Sequence, residues 1–161
     1  MSVTDFFDRG WRANPTGVAF IAGERSYTYD EIGKLSCRIG NALLARGIGG
    51  HVNGAVLAGN DPIGWACVLG LWRAGLAWVP VNPASPPEEI QHLLAGFDCE
   101  LLFCQAQLLP VVQKIRAELT TLHTVISLGD DTAAATAVDA IVLESFIEVA
   151  SSELTRISRK T

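Results

Sequence analysis

Positive charge is what this chain has least of. Its 161 residues hold 12 Lys or Arg against 17 Asp or Glu, a formal net charge of −5, and an acidic chain without basic clusters lacks the electrostatic footprint of a nucleic-acid binder. Its basic run, Arg156, Arg159 and Lys160, reads as a solvated tail. Long apolar runs are missing too: none reaches the roughly 20 residues that cross a bilayer. Met1 to Arg12 carries acidic and aromatic residues where a secretory signal would be basic and then greasy, so a cytoplasmic location is expected. Four cysteines, Cys37, Cys67, Cys99 and Cys104, form no CxxC pair and have no histidine at ligand spacing, which argues against a disulfide framework or a zinc site. Each lies in an apolar pattern and is expected to be a reduced, buried thiol.

What is present is apolar. Hydrophobic residues make up 49% and charged residues 18%, more apolar than an ordinary freestanding domain. Either the sheet is covered on both faces or part of the surface expects a partner. The length suits one domain that buries about 70% of its unfolded surface.

The pattern along the chain alternates strands with helices. An amphipathic stretch over Asp5 to Ala13 ends at Asn14-Pro15. Val18 to Ile21 and Ser26 to Tyr29 flank Gly23-Glu24 as an antiparallel hairpin. Thr28 to Glu31 has the form of a capping box opening a helix that stops at Gly47. Gly54 to Ala58 is a short apolar strand; Asn60-Asp61-Pro62 then starts a helix running to Ala74 that is apolar nearly all round and so is expected to be largely buried. Ala77 to Asn82 reads as a strand whose Pro80 must face no neighbour. Ser85 to Glu88 opens another capped helix, Leu101 to Cys104 is a strand, Leu108 to Leu119 a helix and Thr124 to Leu128 a strand. Single helices between strands predict an α/β fold, a mostly parallel sheet with helices on both faces, plus the N-terminal hairpin. Two regions are expected: 1–129 as this α/β unit, and 130–161 as a linker (Asp130 to Ala137 being small residues), a short helix capped around Ser145 to Glu148, and a polar tail from Ser151.

Candidate motifs each have a plain structural explanation. Gly47-Ile48-Gly49-Gly50 follows a helix and precedes a strand, the wrong polarity for a phosphate cradle, so it reads as a helix stop and connector. Ala58-Gly59-Asn60-Asp61 does lie after a strand and before a helix, where open α/β sheets bind ligands. It lacks the spacing of a known phosphate loop, and Asn60 or Asp61 is accounted for as a helix cap. His51, His92 and His123 are scattered without a patterned nucleophile and read as surface residues. Glu88 and Glu89 suit the start of a helix. Trp11, Trp65, Trp72 and Trp78 are spaced as packing residues rather than a stacking platform. No catalytic, cofactor-binding or metal-ligating residue is assigned.

Two segments carry a family resemblance. Tyr27-Thr28-Tyr29-Asp30-Glu31-Ile32 is similar to the early "TYxEL" element of the adenylate-forming (AMP-binding) superfamily. Leu71 to Pro83, LWRAGLAWVPVNP, resembles its "LKAGAxYVPxNP" element. Between them Asn41 to Gly47 is similar to the "NxLAxxGV" helix end, and Pro86 to Leu94 resembles the next helix, so the resemblance spans about Phe6 to Leu128. Where the family has a "GDxVAI" strand entry, this chain has Gly50-His51-Val52-Asn53-Gly54-Ala55-Val56. The opening Phe6-Phe7-Asp8-Arg9 and the Asn82-Pro83 ending look closer to fatty-acyl ligases than to peptide synthetases.

The resemblance implies a parent acyl-CoA synthetase of fatty acid metabolism that turns carboxylate, ATP and CoA into acyl-CoA, AMP and pyrophosphate, with ATP, Mg²⁺ and CoA as its cofactors. It also implies a Ser/Thr/Gly-rich loop with a lysine, "SGTTGxPKG", and a mobile later lysine. This sequence contains no such loop; its lysines are Lys34, Lys114 and Lys160, and it stops near where the loop is expected. The resulting expectation is an N-terminal scaffold fragment, inactive alone, whose partner is the remainder of the ligase chain and whose exposed apolar surface supports self-association. The rival reading is a stand-alone α/β binding or interaction module with a well-covered sheet. A third is a flavodoxin-like small-molecule binder using the turn at Gly59 to Asp61.

Overall fold

The computed structural model describes residues 2–154. Helix α1 (Val3–Ala13) leads into an antiparallel hairpin of β1 (Val18–Ala22) and β2 (Arg25–Thr28). Its turn is made by Gly23 at φ 59°, a conformation that costs a residue with a Cβ. Thr28 closes the expected capping box on α2 (Tyr29–Ala45): its Oγ1 accepts from Glu31 N at 3.1 Å, and its own N–H donates to Glu31 Oε2 at 2.8 Å. The helix ends where Gly47 takes φ 73° and Ile48 N–H reaches back to Leu43 O, so the glycine stretch there is a stop and connector.

The main sheet follows. Strand β3 (Asn53–Leu57), helix α3 (Pro62–Arg73), strand β4 (Ala77–Pro80), helix α4 (Pro87–Gly96), strand β5 (Leu101–Cys104), helix α5 (Leu109–Ile115) and strand β6 (Thr124–Ser127) alternate as the sequence predicts. With a last short strand β7 (Ile141–Val142), all pairings of this sheet are parallel, in the order β4-β3-β5-β6-β7. Pro80 lies on edge strand β4, where its missing N–H leaves no ladder bond unmade. Side chains alternate across the sheet. Val56, Leu101, Phe103 and Ile126 face α2 and α3 in one buried cluster, and Ala55, Leu57, Leu102, Cys104 and Val125 face α4 and α5 in the other. Both faces are therefore dry, which is why these strands are apolar without polar alternation.

Helices α2 and α3 make the tightest helix pair. A Cβ on Gly70 of α3 would lie 2.5 Å from Cγ2 of Ile39 on α2, so the missing side chain sets their separation. The expectation that α3 is largely buried holds for Ala66 to Leu71, whereas Trp65 points outward, 43% exposed.

Several expectations need correction. The segment Asp130 to Ala137 is not a linker. Asp131 caps α6 (Thr132–Ala137) by accepting from Ala134 N–H at 2.9 Å, and β7 (Ile141–Val142) pairs with β6 as a fifth parallel strand. Alanine-rich small residues resemble a linker by size, yet alanine is the best helix former, and a strand of two residues has no period to detect. Next, α7 (Leu143–Ile147) begins before Ser145, which sits inside the helix rather than capping it. Ser85 does not cap α4; Pro86 occupies the cap position with no side-chain bond. The helix expected over Leu108 to Leu119 is α5 flanked by 3₁₀ turns at Ala106–Leu108 and Arg116–Glu118. The polar tail beyond Leu154 lies outside the described residues.

Candidate functional site

Strand order reverses at β3. The chain passes from β3 to β4 on one side, then returns to lay β5 on the other, and in open α/β sheets the crevice beyond the strand ends at such a reversal is where ligands bind. The Ala58 to Asp61 turn forms one wall of that crevice. Gln105, the first residue after β5, bridges that turn: its Oε1 accepts from Gly59 N–H at 2.8 Å and its Nε2 donates to Asp61 Oδ2 at 3.0 Å. The other Asp61 oxygen, Oδ1, accepts from Ile63 N–H at 2.9 Å and caps α3. The Gly59 amide, one of the donors an anion could use there, is thus already satisfied by a neutral carboxamide, and a carboxylate stands beside it.

The same turn lines a cavity of ≈ 210 Å³, whose walls include Gly59, Asn60, Asp61, Trp65, Trp78 and Pro80. The indole of Trp78 meets those of Trp65 and Trp72 edge-on, each at 5.8 Å between centroids. Three tryptophans thus pack on one another at the outer edge of the sheet, as packing residues do. Trp11 packs apart from them, against Phe7, and donates from Nε1 to Asp30 Oδ1 at 3.2 Å.

The remaining candidates are dispersed. His51, His92 and His123 are all exposed, and His123 Nε2 stands 4.0 Å from Glu100 Oε1. Glu88 and Glu89 are exposed in the first turn of α4. Among the described residues no group of three or more His, Cys, Asp or Glu could hold a metal ion. All four cysteines are buried and reduced. Burial pushes the Cys104 thiol up to about 12; burial, with the negative charge of Asp98, lifts Cys99 to about 11. Burial also raises Cys67 well above the ordinary thiol value, assisted by Asp61. A thiol held neutral is a poor nucleophile. Lys34 is engaged with Asp30 at 2.7 Å on α2, and their hydrogen bond lowers the pKa of Asp30, as does that of Trp11.

Two arrangements escape the sequence reading. One is Gln105, whose only signal is its place just past a strand. The other is buried Arg73 on α3, which forks onto Asp8 of α1 through Nη2 to Oδ1 at 2.6 Å and Nη1 to Oδ2 at 3.0 Å, and donates from Nε to Ser36 Oγ at 2.9 Å. Both link residues at least 37 apart in the chain, beyond any local pattern.

Similarity to known proteins agrees with this fold. The chain is 37% identical to Tyrocidine synthase 3 of Brevibacillus parabrevis over 65% of its own length and 2% of that protein. It is 32% identical to the 3-hydroxybenzoate--CoA/4-hydroxybenzoate--CoA ligase of Thauera aromatica over 71% of its length and 22% of that enzyme. Peptide synthetases and aryl-CoA ligases both stand among its relatives, so the leaning toward fatty-acyl ligases is not singled out. Among solved structures, the fold superposes on the anthranilate CoA ligase AuaEII in complex with anthranoyl-AMP with a TM-score of 0.86 and 18% identity, over 98% of this chain and 29% of that one. The N-terminal domain of FACL13 from Mycobacterium tuberculosis gives 0.80 and 19%, over 98% and 38%. The chain therefore spans well under half of these relatives. Residues 7–151 match the family described as AMP-binding enzyme, and the chain belongs to that adenylate-forming family.

Proposed function

We propose that this chain is the framework segment of an acid–CoA ligase, and that it does not catalyse adenylation by itself. In the parent reaction a carboxylate attacks the α-phosphate of ATP, giving an acyl-adenylate and pyrophosphate, and the CoA thiol then displaces AMP. Both steps build negative charge that aligned N–H donors, lysine and Mg²⁺ must stabilise. The observation that carries the reading is the family match across 7–151 in a chain that spans well under half of its ligase relatives. ATP, Mg²⁺ and CoA belong, on this reading, to the longer enzyme, whose further polypeptide is this segment's partner in the cytoplasm. Exposed Val3 and Phe6 of α1 and Val18 and Ile21 of β1 are the apolar surface available to that partner or to self-association.

Incubating the chain with ATP, Mg²⁺ and a panel of fatty and aromatic acids while following pyrophosphate tests this. No release is expected, and sustained turnover overturns the inactivity. A second reading, a stand-alone α/β binding or interaction module, is favoured by the two buried clusters that already cover both faces of the sheet. A gene ending at residue 161 supports that reading; an open frame continuing into a lysine-bearing glycine-rich loop supports the ligase.

A further inference from the structure

The last described segment is attached to the molecule in an unusual way. Helix α7 and the residues after it lie along α2, and three α2-side residues reach over to hold them. Arg38 Nη2 donates to Ile147 O at 2.8 Å, and Arg46 Nη1 to Phe146 O at 3.1 Å. Asn41 Nδ2 donates to Ser151 O at 2.8 Å and Glu153 O at 3.1 Å. Every acceptor is a main-chain carbonyl. Phe146 O and Ile147 O are end carbonyls of a short helix, where cations are favoured, and Ile147 O also accepts from Ala150 N–H at 3.0 Å. The Arg46 guanidinium also lies 4.0 Å from the centroid of the Phe146 ring.

Elsewhere the attachment is thin. Leu143, Phe146 and Ile147 are the buried apolar anchors of 143–153, while Glu144, Ser145, Glu148, Val149, Ser151 and Glu153 are exposed. Upstream, the connection to the sheet is β7, two residues long, with Ile141 40% exposed. Beneath α7 a groove of ≈ 480 Å³ remains between Leu143 and Ile147 on one side and Leu35, Arg38 and Ile63 on the other. Leu143, Phe146 and Ile147 join the buried cluster on the α2/α3 face, so the segment is held at three apolar anchors and the clasp rather than along a continuous interface, and a segment held at few points opens at lower free energy than the core.

We propose that residues 143–153 form a strap that opens and closes on α2 as one unit, with Arg38, Asn41 and Arg46 as its clasp. Because the clasp reads backbone oxygens rather than side chains, it fixes the path of the strap and not its surface chemistry. Closed, it sets the direction in which the polypeptide leaves the sheet; open, it uncovers the apolar site that Phe146 fills against Phe103. The proposal does not depend on the ligase reading.

Hydrogen–deuterium exchange of the full chain, resolved by peptide, tests it with two variants. Asn41→Ala removes both bonds to the end of the strap, and Arg38→Ala with Arg46→Met removes those to α7 while keeping an aliphatic stem on Phe146. Each is expected to speed exchange within 143–154 by about tenfold or more while peptides of β3 and β5 change by less than about twofold. Unchanged strap exchange in both variants overturns the clasp. A parallel rise in strap and core overturns the separate unit.

Discussion

Arg73 and Asp8 face each other across three helices as a forked ion pair, with side chains only 4% and 12% exposed. The third donor of the guanidinium goes to Ser36 Oγ, which itself donates to Gly33 O at 2.7 Å. One cation therefore joins α1, α2 and α3. Removing one partner leaves a buried charge uncompensated, so Arg73→Ala and Asp8→Ala should each cost about 3–5 kcal/mol. The urea midpoint of each variant measures this. The double variant Asp8→Leu with Arg73→Met, which removes both charges, should recover much of the loss; equal losses in single and double variants would show that packing, not charge, holds the helices.

Gly70 predicts an inversion of helix propensity. Alanine normally favours a helix interior by about 1 kcal/mol over glycine, yet a Cβ here collides with Ile39 and lies 3.3 Å from Ser36 O. Gly70→Ala should destabilise by about 1–3 kcal/mol. Gly96→Ala, where a Cβ meets nothing within 4 Å, should be neutral or stabilising by up to about 1 kcal/mol. Paired thermal melts read both signs.

Gln105 supplies two hydrogen bonds to the turn at Gly59 to Asp61, and Gln105→Ala leaves the Gly59 amide without its partner. A loss of about 1–2 kcal/mol is expected. If the carboxamide is what keeps that amide from an anion, the variant but not the parent should gain thermal stability with millimolar inorganic phosphate. An equal response in both would show that the carboxamide does not.

The buried thiols predict an alkaline decline in stability. Cys99 at about 11 and Cys104 at about 12 keep their protons in the folded state, whereas an unfolded thiol ionises from about pH 8.5–9. Above that pH the native state binds more protons than the unfolded one, so unfolding free energy falls as pH rises toward 11 and is undiminished by these groups below the unfolded value. Urea titrations from pH 8 to pH 10.5 should show the decline, and a Cys99→Ala, Cys104→Ala variant should show less of it. Near neutral pH a thiol reagent should label none of the four cysteines until denaturant is added.

Local grammar was legible in advance. The Thr28 to Glu31 box, the stop at Gly47 and the proline opening α3 all act over a few residues, and each took its expected form. Asp61 rather than Asn60 is the cap, because it directly precedes Pro62 at the first helical position and its carboxylate accepts from Ile63 N–H. The end of the sheet was not legible, because β7 is held by β6 and by α7 rather than by its own two residues. Nor was the Gln105 bridge, since Gln105 and Gly59 are brought together only when β5 docks beside β3.

By itself the sequence determined the alternation of strands and helices, the parallel class of the sheet and the family, because period, caps and short motifs are properties of neighbouring residues. Only the tertiary structure decided that the glycine turn is bridged, that Arg73 binds Asp8 and that α2 holds the final segment. Those are contacts between residues far apart in the chain, and their energies exist only once the backbone has brought them within hydrogen-bonding distance.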